Sequence, residues 1–153
     1  MALDIKIYSG VAKNWNAAHF GTHVAYSLIE FEGGKKIGEM RATERLNDVL
    51  EPALRSGQAL KLHVAMPVEG SILTLIAFEQ ADGVTFAEDV PPLPAMLALA
   101  PRLALIFGIL LLPAFGLGIL LLGAWSSMRS RIRPLIELRE YVQRLPRATL
   151  VKS

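Results

Sequence analysis

The chain has no cysteine among its 153 residues. That excludes disulfides, thiolate metal sites and a thiol nucleophile, but it does not fix the compartment, since many domains on either side of a membrane do without disulfides. Nor do the first residues read as a secretory leader. Met1 to Tyr8 has no basic opening followed by an apolar stretch of the needed length. It reads as a strand instead, with Leu3, Ile5 and Ile7 alternating with Asp4, Lys6 and Tyr8. No serine sits in a Gly-x-Ser-x-Gly elbow, and Gly33-Gly34-Lys35-Lys36 lacks every other part of a phosphate loop. There is no internal repeat and no low-complexity tract. The expectation is therefore not an enzyme, with no cofactor and no resident metal.

Positive charge is scarce where a nucleic-acid binder needs it. Residues 1–90 carry eight Lys/Arg against twelve Asp/Glu, a net of −4, whereas residues 126–153 carry seven Lys/Arg against two Glu, a net of +5. The sequence pI near 9.1 comes from that short tail. A basic face across the folded part is absent, so no nucleic-acid partner is expected.

Three histidines and two acidic pairs are the only other candidates for chemistry. His19 and His23 are four apart, but Gly21 lies between them, and on a strand such residues are about 13 Å apart, too far for one ion. Glu30 with Glu32, and Glu88 with Asp89, could do acid/base work only if their environments differed. Glu30 and Glu32 fit better as the solvent face at a strand end.

What the sequence has in quantity is apolar surface, with a mean hydropathy of +0.39. Residues 1–90 read as a small β-rich domain. Val24 to Phe31 is a strand, Glu32-Gly33-Gly34-Lys35 a hairpin turn, and Lys36 to Arg41 the return. Leu46, Val49, Leu50, Ala53 and Leu54 then lie on one helical face, with Thr43 as N-cap, Pro52 in the last turn and Gly57 just past the end. Strands resume at Lys61 to Met66 and Ser71 to Phe78, and Asp82-Gly83 leads by a second turn to Val84 and Phe86. The fold class expected is α+β, with about six strands and one short helix, as a sandwich or a barrel.

Val90-Pro91-Pro92-Leu93-Pro94 is a stiff linker, centred on residues 91–94. Residues 95–128 then read as a membrane segment, because Leu103 to Trp125 is an uncharged apolar run of 23 residues. Residues 129–153 read as a basic tail whose part from Pro134 to Leu145 is a short amphipathic helix, with Leu135, Leu138, Val142 and Leu145 on one side.

Arg129, Arg131 and Arg133 place that tail in the cytoplasm by the excess of basic residues on the inner side. The segment could cross once as a helix kinked at Pro113, with Arg102 snorkelling at one edge and Trp125 at the headgroup level. It could also form a hairpin turning at Pro113 to Gly116, which would leave both ends inside. The hairpin is preferred, since a domain without a leader stays in the cytoplasm. Gly108, Ala114 and Gly118 are flat spots for helix packing. With Ala, Leu and Arg usage of a bacterial kind, the expected location is a bacterial inner (plasma) membrane. The expected partners are membrane lipid and a protein partner or a second copy. The expected role is a binding or scaffolding subunit acting through the β-rich domain, the alternative being an oligomeric channel or pore.

Overall fold

The computed structural model describes residues 4–66, 72–90, 95–110 and 117–151. The chain divides into two compact units. One is made of residues 2–90 with 139–153, the other of residues 91–138.

The first unit is built on one long strand, β1 (Asp4–Phe20). Its first half, to Val11, pairs antiparallel with β4 (Ala59–Met66), and its second half, from Ala12, pairs with β2 (His23–Phe31). The change of partner comes just after Gly10, whose φ of 153° suits only glycine. A Cβ there would lie 3.3 Å from the Cβ of Phe31, so the backbone passes close over a core aromatic. The β1–β2 ladder also carries two register shifts, which add to the bend.

β2 turns into β3 (Lys36–Thr43) through Gly33 and Gly34, at φ 89° and 82°. The Phe31 amide donates to the Lys35 carbonyl at 2.9 Å, as a hairpin expects. β4 pairs with β5 (Leu73–Glu79), and β5 also runs parallel to β3 at Met40↔Leu73 and Arg41↔Thr74. That last pairing closes the ring β1-β2-β3-β5-β4 into a barrel. The helix α1 (Glu44–Arg55) connects β3 to β4. A five-stranded closed barrel with a helix in that connection is an OB-type arrangement. The far half of β5 carries β6 (Thr85–Glu88) on the edge that β3 leaves free, and β7 (Ala148–Val151) lies parallel on β6.

The barrel interior is a single apolar core. Tyr26, Ile29 and Phe31 from β2 meet Ile37 and Met40 from β3, Leu62 and Val64 from β4, and Leu75 and Phe78 from β5. Leu46, Leu50, Ala53 and Leu54 of α1 join that core. Phe78 and Phe86, opposite one another, stack at 5.3 Å. The Tyr26 hydroxyl donates to Asn47 Oδ1 of α1, which satisfies two buried polar groups together. Burial, with the nearby Glu51 charge, pushes the Tyr26 hydroxyl well above its ordinary range.

In the second unit, α2 (Ala95–Leu110) contains Pro101 and the exposed Arg102. α3 (Leu117–Arg144) begins in this unit and ends in the first. Residues 111–116 lie outside the described residues, and with them the expected turn at Pro113 to Gly116.

The expected architecture is corrected on three points. Among the described residues there are a seven-stranded sheet and three helices, not six strands, one helix and a membrane segment. The tail from Pro134 to Leu145 is not a separate helix, because α3 runs on through Pro134. A proline removes one ladder bond, but the pair Arg133–Glu137 ties the turns on either side of it together.

Third, among the described residues no helix is long and apolar enough to cross a membrane, whether in a hairpin or as a single span. The 16 residues of α2 extend about 24 Å, short of a hydrocarbon core of about 30 Å. α3 is longer, but its uncharged part ends at Met128, before Arg129, Arg131 and Arg133. Among the described residues nothing supports the expected inner-membrane location.

Candidate functional site

The outer face of β1, β2 and β3 holds a groove of about 570 Å³. Its depth follows from side-chain size. Ala18 of β1, Ala25 of β2 and Arg41 of β3 stand in one row across the three strands. Two of the three are alanine, and Ser27 on β2 is small as well. Larger groups surround this low floor: Asn16 and Phe20 from β1, Glu39 and Arg41 from β3, and Ile72 ahead of β5. Phe20 is 57% exposed and stacks on His23, directly opposite, with ring centres 5.9 Å apart. Glu39 has φ 44°, unusual for a residue with a side chain in a strand. Backbone held in such a state is concentrated at binding and catalytic sites. The groove thus offers an aromatic face, a carboxylate, a guanidinium, an amide and a hydroxyl over a floor that a ligand backbone can approach closely.

A second cluster lies on the outer wall of the same unit. His63 faces away from the core, alternating with Leu62 and Val64. It is nevertheless only 4% exposed. Its Nδ1 is 2.6 Å from the Tyr141 hydroxyl, brought in by the last turns of α3, and its Nε2 is buried without a partner among the described residues. Lys61 and Glu79 form an ion pair at 3.0 Å nearby. Burial lowers the His63 pKa below 6.5, the Lys61 charge lowers it further, and Glu79 opposes both. Burial also raises the Tyr141 hydroxyl, with Lys61 opposing. The Thr85 hydroxyl on β6 is buried too, with no partner among the described residues.

The residues singled out from the sequence lie elsewhere. Arg102 and Arg131 are exposed on α2 and α3. Trp125 is half-buried, with the Arg129 guanidinium 5.4 Å above its ring, a cation–π contact that holds both within one helix. Arg133 donates to Glu137 at 2.8 Å. Ala114 lies outside the described residues, and so do the side-chain surroundings of Gly108 and Gly118. All eight belong to residues 91–138, and none lines the groove.

His19 and His23 stand opposite Val24 and Phe20, so the hairpin does not bring their rings to one point. Among the described residues no three His, Asp or Glu side chains are gathered as metal ligands. Glu30 accepts from Asn14 and pairs with Lys36 at 3.4 Å, and these contacts hold its carboxyl below the usual range. Burial raises Glu88, which lines a smaller cavity with Thr22, Thr43 and Glu44.

The groove left a faint trace in the sequence: small residues at alternate positions, Ala18, then Ala25 and Ser27, on either side of Phe20-Gly21-Thr22-His23. The partners of His63 left none, since Tyr141 is 78 positions away. No family model matches this chain, and no curated protein and no solved structure does either.

Proposed function

We propose that the barrel unit is a binding module, and that the β1–β2–β3 groove takes an extended segment of a protein partner. The observation that carries this reading is the low Ala18–Ala25–Ser27 floor beside a Phe20 ring left 57% exposed. An exposed ring is a ready anchor for an apolar side chain, and Glu39 with Arg41 can read polar groups beside it. The floor admits a peptide backbone where larger side chains would hold it off. OB-type barrels use the β2–β3 face for ligands, which agrees with the position of the groove, although a fold alone does not assign a function.

Charge supports a protein over a nucleic acid. In the groove Arg41 stands beside Glu39, and residues 1–90 have a net charge of −4. Phosphate backbones demand an excess of Lys and Arg.

A photoreactive amino acid placed at Ala18 tests the reading, with a second at Lys6 on the other half of β1 as control. A defined protein adduct from Ala18, absent from Lys6 and reduced about tenfold by Arg41→Ala or Phe20→Ala, is the expected result. Equal adducts from both positions would overturn it. So would tight, salt-sensitive binding of a single-stranded oligonucleotide that the same substitutions abolish.

A further inference from the structure

We propose that His63 and Tyr141 form an acid-sensitive latch that holds the segment Arg139–Val151 on the outer wall of the barrel. The argument begins with the wall. His63 on β4 stands opposite Ala77 on β5, and Ala77 opposite Ala87 on β6. Both alanines are fully buried, although the row faces away from the barrel interior. The segment supplies a buried Val142, the Tyr141 hydroxyl on His63, and β7 paired along all of β6. Asp89 adds one more tie, its amide donating to the Val151 carbonyl at 3.1 Å.

His63 is the one member of this set whose charge changes near neutral pH. In the neutral ring Nδ1 shares one hydrogen bond with Tyr141, and Nε2 is left alone in a sealed position. That arrangement already costs something, but the ring bears no charge. Protonation turns both ring nitrogens into donors. Nδ1–H can still give its proton to the Tyr141 oxygen, whereas Nε2–H then carries part of a full charge, shielded from solvent and with no acceptor among the described residues.

The surroundings do not compensate. Lys61 and Glu79 neutralise one another at 3.0 Å. Opposite His63 and Lys61, β1 presents Ile7 and Ser9, neither of them charged. β5 presents Ala77, and on α3 Arg144, three residues past Tyr141, is tied to Glu140. Letting go of the segment gives the imidazolium its water.

The sign follows from the lowered pKa of the latched ring. The latch is fully effective above the ordinary histidine value of 6.5, and its stability is lost as pH falls from there through the lower, latched value. Release uncovers the edge of β6, a row of unpaired backbone groups able to receive another strand.

Amide hydrogen exchange of the intact chain tests this. After correction for intrinsic exchange, the β7 amides should exchange about tenfold faster near pH 5 than near pH 7.5, relative to those of β2. His63→Gln should remove that dependence. No pH dependence in the native chain, or the same dependence in His63→Gln, would overturn the latch. Should that variant fail to fold, the ring of His63 is titrated by NMR in the native chain. A midpoint below 6.5 that Tyr141→Phe shifts upward supports the latch, and a midpoint at or above 6.5 ends it.

Discussion

In the barrel unit Tyr26, Phe31 and Phe78 are sealed from solvent, while Ile106, Phe107, Ile119 and Leu120 on α2 and α3 are each more than half exposed. Among the described residues, every buried side chain belongs to the barrel unit and none to residues 95–138. The helical stretch is nevertheless the more apolar by sequence. Apolar content measures what a segment could bury, whereas burial depends on partners. The barrel strands alternate, so each presents an inward face to four others and to α1. α2 is apolar nearly all round, and its described side chains find no interior.

The contrast can be broken first at the barrel core. Phe78→Ala should cost about 3–5 kcal/mol, since it empties a fully buried aromatic site and removes the stack on Phe86. Denaturant unfolding followed by circular dichroism would show it, and a cost below about 1 kcal/mol would mean that the core is loose. Next comes the pivot of β1. Gly10→Val forces a side chain into a positive φ beside Phe31, at a cost of about 1–3 kcal/mol on the same measurement. The smallest effect should come from the other region. Leu120→Gln, at a site 72% exposed, should move stability by no more than about 0.5 kcal/mol. A loss near that of Phe78→Ala would show that α3 is covered in solution and that the contrast is false.

Local elements were legible because their signals are local. The turn at Gly33-Gly34 follows from the residues that turns require, and the helical face from Leu46 to Leu54 from its period. Three features were not legible. β7 is four residues long and follows Pro146, so no pattern could develop. Closure of the barrel rests on two parallel residue pairs between β3 and β5, which no local signal encodes. The apolar run from Leu103 to Trp125 invited a reading by length alone, yet among the described residues no helix is long and apolar enough to cross a membrane. Of the candidate site, Phe20 and Arg41 carried no mark separating them from other strand residues. The groove exists only once three strands set the alanines side by side.

The division of β1 between two partners also has a kinetic side. Its second half needs only the neighbouring hairpin, whose pairs such as Phe20↔His23 close short loops. Its first half waits for β4, with Asp4 reaching Met66, and the ring closes only when Met40 meets Leu73. Short loops form in microseconds, and distant pairings must first overcome the entropy of the chain between them. The three strands that carry the groove can therefore assemble before the barrel they belong to, and Gly10 is the joint about which the rest folds back onto them.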